Sequence, residues 1–176
     1  MVRLAMLVGA LTILLSPAVM GAQQPSTEPA RVWVAVGLGG GLFSSVDGAA
    51  NDPGIALLAA LVLKEDGHRV ALRGSIVAEV LGDEVGDFGL LYGRAWTGER
   101  SEQSLSAGVS LVYGNDCHGV FGGPCDPSKT VGLPVSATMS FRPYGFLGLG
   151  LEAFANLNSL ASFIGVSGML ELGALR

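Results

Sequence analysis

Two stretches of the chain gather residue types that do chemistry. Asp116-Cys117-His118 through Cys125-Asp126 places two thiols, an imidazole and two carboxylates within one short segment. Such a set could ligate a transition metal, since thiolate, imidazole and carboxylate are all protein donors to such ions. The alternative is a disulfide between Cys117 and Cys125, which an exported chain would favour, and Pro124 with its neighbouring glycines suits the compact turn it would close. The bridge is the reading adopted, with His118 as a loop residue and no metal expected. Gly37-Leu-Gly-Gly-Gly41 follows a Val-rich segment and invites a phosphate-cradling role. Its spacing fails: the third glycine of the dinucleotide fingerprint would fall at Leu42 or Ser44, and no helix pattern or later acidic residue supports it. Small residues where a sheet wall curves or its interior is crowded explain the run better. The only two histidines, His68 and His118, lie at connectors. No catalytic residue and no cofactor are therefore expected.

The elements that must position these residues are constrained by composition. Over 176 residues the chain is 49% hydrophobic and 14% charged, with 27 glycines, mean hydropathy +0.51 and formal charge -5. That excludes a disordered tail, a coiled coil and a nucleic-acid binder, each of which needs far more charge, and mostly basic charge in the last case. Met1 to Ala22 has one basic residue, Arg3, then the apolar run Leu4 to Leu15 and small residues, the pattern of a cleaved secretory signal peptide. The run is too short to span a bilayer as a helix, which takes about 20 residues. A short polar lead, Gln23 to Ala30, precedes the domain proper, residues 31 to 176.

Within that domain, segments of about ten residues alternate with period two between clusters of turn formers, the pattern of membrane-barrel strands. They are Arg31 to Phe43, Pro53 to Lys64, His68 to Val80, Asp87 to Thr97, Gln103 to Gly114, Leu133 to Arg142, Gly145 to Asn156 and Leu160 to Leu175. In the third, Arg69, Ala71, Arg73, Ser75, Val77 and Glu79 oppose a face without charge, Val70 to Val80. In the fifth and sixth, Ser104, Ser106 and Ser110, and Ser136, Thr138, Ser140 and Arg142, oppose Leu, Val, Ala, Met and Phe. The polar face is small and suits a narrow interior, so the apolar face is the lipid face. Eight strands then predict an all-β, antiparallel, up-and-down transmembrane barrel.

Aromatics fall near segment ends, at Trp33, Phe43, Phe88, Trp96, Tyr113, Phe141, Tyr144, Phe146 and Phe163, as interfacial girdles require. Connectors alternate between long or acidic (Ser44 to Asp52, Leu81 to Gly86, Asn115 to Gly132) and tight (Glu65 to Gly67, Gly98 to Glu102, Pro143 to Tyr144), with only the last outer loop, Leu157 to Ser159, breaking the size rule, which places the tight turns and both termini in the periplasm. Five charges are assigned to the interior: Arg73, Arg94, Glu79, Glu152 and Glu171. Unpaired charge in a narrow lumen costs several kcal/mol, about 3 to 5 when one member of a buried pair is lost, so these are expected to form an ion network. Glu171 is expected to meet Arg94, Arg73 or both.

On this architecture, together with the closing stretch Glu171-Leu-Gly-Ala-Leu-Arg176, the chain resembles the small outer-membrane β-barrel proteins of Gram-negative bacteria, the OmpA-like and OmpX-like barrels. Leu90-Leu-Tyr-Gly-Arg94, Gly132-Leu-Pro134 and Asn156-Leu-Asn158 are similar to stretches of barrel proteins that carry no assigned activity. The resemblance implies an outer-membrane location, contact with outer-membrane lipid and, through the closing stretch, recognition by the barrel assembly machinery. Enzymes that resemble the lipid A deacylase carry His and Ser two apart on one strand; here His68 is followed by Arg69-Val70 and His118 by Gly119-Val120, so neither has its serine. The expected role is non-enzymatic, structural or surface-interacting. The alternatives are a narrow channel or carrier for small solutes, and a soluble periplasmic barrel that binds lipid.

Overall fold

The structure, a computed structural model, describes residues 30 to 44, 51 to 79, 84 to 117 and 125 to 175. The signal-peptide segment and His118 lie outside the described residues, as do the side chains of Cys117 and Cys125. Eight strands run in sequence order: β1 Arg31–Ser44, β2 Asn51–Glu65, β3 His68–Ala78, β4 Glu84–Thr97, β5 Ser101–Cys117, β6 Cys125–Phe141, β7 Leu147–Asn158 and β8 Phe163–Gly173. Each pairs antiparallel with the next and β8 pairs with β1, closing the barrel. No sheet edge is left unpaired, the condition a sheet must meet to lie in hydrocarbon.

Alternation sets the two faces. Val32, Val34, Val36 and Leu38 of β1 are exposed outward while Trp33 and Ala35 between them are buried, and Leu57, Leu61 and Leu63 of β2 alternate likewise with Leu58, Ala60 and Val62. The same outward band continues through Phe88, Leu90, Val109, Leu111, Leu133, Leu149, Leu151 and Val166. Large apolar side chains therefore point away from the interior all round the barrel, the reverse of a soluble barrel.

The turns follow local chemistry. Asp66 and Gly67 join β2 to β3 with φ of 48° and 76°, the two positive values a tight type I′ hairpin turn requires, which Asp-Gly supplies readily. Gly39, in the run read from sequence as crowded wall, faces the neighbouring backbone so closely that a Cβ there would stand 1.9 Å from the Val166 carbonyl oxygen. Only glycine permits that approach.

Two features differ from the sequence reading. The segment Asn115 to Gly132 is not one long loop: β5 and β6 stay paired from Ser110↔Gly132 out to Cys117↔Cys125. Pairing with a partner strand overrides the turn-forming character of Asn115, Asp116, Asp126 and Pro127. The aromatics divide between the faces. Phe88, Tyr113, Phe141, Tyr144 and Phe146 are exposed on the outside, but Trp33, Phe43 and Phe163 are buried within. Position along a strand sets depth, while parity sets face.

Candidate functional site

The lumen is filled in layers. At the end that carries the tight turns, Arg142 donates through Nη1 and Nη2 to both oxygens of Glu102 at 2.7 and 2.9 Å, and through Nε to Glu171 at 3.0 Å. Lys64 Nζ meets the same Glu102 at 3.2 Å and also bonds Thr97. The Arg142 guanidinium lies 4.6 Å from the Trp33 ring centroid, a cation–π contact in a desolvated setting. Strands β2, β5 and β8 and the residue just after β6 thus contribute one charge each to a cluster of two cations and two carboxylates. All four side chains are buried.

Above it, Arg69 donates to the hydroxyls of Ser104 and Ser106 at 3.1 and 3.4 Å and forms no direct salt bridge among the described residues. Arg73 forms the next cluster, donating to Asp87 at 3.1 Å and to Glu152 at 3.4 Å. Asp87 is the hub: Ser75 donates to it at 2.5 Å and the Asn156 amide at 2.6 Å, while that amide also donates to Ser110 at 2.8 Å. The Arg73 guanidinium stands 5.7 Å from the Phe154 ring. Phe154 in turn meets Phe163 edge-on at 6.3 Å, and with Phe43, Val77, Val85 and Val112 these close the other end with apolar side chains.

Of the five charges assigned inward from the sequence, Arg73, Glu152 and Glu171 line the lumen. Glu171 meets Arg142 rather than Arg73 or Arg94, and it is Glu152 that joins Arg73. Arg94 is not in the network. It is exposed on the outer face, where its Nη1 donates to His68 Nε2 at 2.7 Å. The inward positions of β4 are Asp87, Gly89, Leu91, Gly93 and Ala95, because the opposite parity would drive Phe88, Leu90 and Tyr92 together into a bore already filled by side chains of the other strands. Glu79 has inward parity but lies just beyond β3, half-buried, and forms no salt bridge with the described residues.

Sequence reasoning missed Lys64, Arg69, Asp87, Glu102 and Arg142 as members. Arg69 and Arg142 were already on the polar face, so parity alone would have found them. Glu102 was hidden by its assignment to a turn, and Lys64 by an inner face of β2 that is otherwise Ala, Leu and Val. Among the described residues no group of three or more His, Cys, Asp and Glu side chains could hold a metal ion.

A closed, all-antiparallel eight-stranded barrel is the architecture of the small outer-membrane barrels of Gram-negative bacteria. Among solved structures the chain is similar to Neisserial surface protein A (TM-score 0.69, 14% identity, covering 82% of this chain and 99% of that one). It is also similar to Ail of Yersinia pestis, solved with the heparin analogue sucrose octasulfate (0.56, 11%, 83% and 99%), and to the N-terminal barrel domain of Pseudomonas aeruginosa OprF (0.56, 9%, 82% and 100%). No protein-family profile and no curated protein sequence matches the chain.

Proposed function

We propose that the protein is a non-enzymatic barrel integral to the outer membrane, in which the lumen is a structural plug and the outer end of the β5–β6 hairpin is presented to the surroundings. The observation that carries this reading is the pairing of a continuous apolar exterior with a bore closed by ion pairs at one end and by Phe43, Phe154 and Phe163 at the other. Surrounding lipid and, during biogenesis, the barrel assembly machinery are its proposed partners, the latter engaging the closing stretch. There Leu175 is buried and its carbonyl accepts from Arg31 at 3.0 Å.

The Cys117–Cys125 bridge belongs to the same proposal. The two residues stand directly opposite in the ladder at the far end of the hairpin, and a disulfide closing so short a loop would contribute about 2 to 3 kcal/mol. Two free thiols found by mass spectrometry in exported protein would remove it.

The deciding experiment is fractionation with conductance. The protein is expected with the outer-membrane fraction, to migrate differently in unboiled and boiled samples, and to give no steady conductance in planar bilayers. A stable ohmic conductance would move the reading to a narrow channel. Extraction without detergent would move it to a soluble barrel.

A further inference from the structure

Arg94 is the singled-out charge that the lumen does not use, and its surroundings on the outer face are unusual for a cation. Its register partners are His68 on β3 and Leu105 on β5, and the next outward residue of its own strand, Tyr92, lies between Val70 and Ala107. Arg94 forms no salt bridge among the described residues. Glu65, across the hairpin from His68, is not paired with it. A lone guanidinium on a water-facing surface would be ordinary, but one at the edge of an apolar belt is costly unless something neutralises it.

The hydrogen bonds of the cluster have a direction. A guanidinium has only donors, so His68 Nε2, 2.7 Å from Arg94 Nη1, must accept. In the neutral imidazole the proton is then on Nδ1, which donates to the Tyr92 hydroxyl oxygen. That leaves the phenolic proton and the remaining guanidinium N–H groups, all donors, beside one positive charge and without an acceptor among the described residues. Such a set matches the oxygens of a phosphate, which arginine can hold through two parallel bonds.

We propose that Arg94, Tyr92 and His68 form a binding site for the phosphate of a membrane phospholipid headgroup, in the leaflet at the end of the barrel that carries the tight turns. Arg94 supplies the charge, Tyr92 the further donor, and His68 holds both in place. The lipid's chains lie along Val70, Ala107 and Leu90. The site rests on the membrane reading above, and the experiment separates the two.

The full chain is refolded into phosphatidylcholine vesicles containing phosphatidylglycerol, extracted in mild detergent and assayed by native mass spectrometry for retained phosphatidylglycerol. The expected result is one retained lipid, a loss of about tenfold in R94Q and a smaller loss in Y92F, with R100Q, an exposed turn arginine, unchanged. Diacylglycerol with the same chains should not be retained. Equal retention by R94Q, or of diacylglycerol, would overturn the site, and so would full displacement by millimolar inorganic phosphate, which would make it a site for free phosphate. If the wild-type chain forms no SDS-resistant band in vesicles and stays open to protease, the membrane reading itself fails. A well-formed barrel whose lipid is indifferent to R94Q removes only the site.

Discussion

At the turn end of the lumen two cations and two carboxylates are joined in a chain, Lys64 to Glu102 to Arg142 to Glu171; halfway up, a single arginine, Arg73, faces two carboxylates while Ser75 and Asn156 make up the donors. The four named side chains of the lower cluster carry two positive and two negative charges. The upper one carries a surplus negative charge, and the cation that offsets it, Arg69, touches only serine hydroxyls between the two. Among the described residues, the buried cations Lys64, Arg69, Arg73 and Arg142 equal in number the buried carboxylates Asp87, Glu102, Glu152 and Glu171. In a space of low dielectric, Coulomb attraction acts beyond contact distance, so these charges are matched as a set rather than pair by pair.

The contrast can be broken most forcefully at Arg142. Arg142→Ala strands Glu171 and leaves Glu102 with Lys64 alone, and should destabilise the barrel by about 3 to 5 kcal/mol in urea unfolding from vesicles. Trp33 fluorescence would report the event, since the indole loses its guanidinium neighbour. A cost below about 1 kcal/mol would mean that the lower cluster is hydrated and not a structural unit.

Glu171→Ala should cost less, about 1.5 to 3 kcal/mol, because Arg142 keeps both bonds to Glu102. Equality with Arg142→Ala would show that Glu171, not Glu102, anchors the arginine.

Glu152→Gln sharpens the upper half. It removes surplus charge and retains an amide oxygen to accept from Arg73, which also keeps Asp87, so a cost of about 1 kcal/mol is expected. A loss as large as that of Glu171→Ala would identify Glu152 as the specific counter-charge of Arg69.

Leu149→Ala, on the outer face, should have the smallest effect, under about 1 kcal/mol, since lipid replaces the lost contacts and neither cluster is touched. A fall in stability matching the lumen variants would contradict the outward placement of β7's leucines.

How much of this was legible varies strand by strand. In β3, β5 and β6, Ser, Thr and Arg recur on one face against Leu, Val and Met on the other, with only a few apolar exceptions such as Ala71 and Val77, so both faces are readable before any fold is known. In β4 the neighbours Leu90 and Leu91 are both apolar, and Gly89 and Gly93 carry no side chain to signal parity. Arg94 falls on the wrong face in that reading because the local signal, bulky Phe88, Leu90 and Tyr92 against Gly89 and Gly93, is one of size rather than of polarity. The ends were hidden for another reason. Glu102 and the stretches beside Cys117 and Cys125 look like turns, and only a paired strand shows that they continue the ladder.

The sequence by itself determined strand number, the apolar exterior and the small polar interior, because period-two alternation is a local property that every strand repeats. Which charges meet was decided only by closure. Joining β8 to β1 and staggering each strand against the next brings Arg142, just past the end of β6, to Glu102 of β5 and Glu171 of β8, and Arg73 of β3 to Glu152 on the far side of the bore. Strand tilt and stagger in a barrel are collective quantities, set by all eight pairings together, and no single segment encodes them.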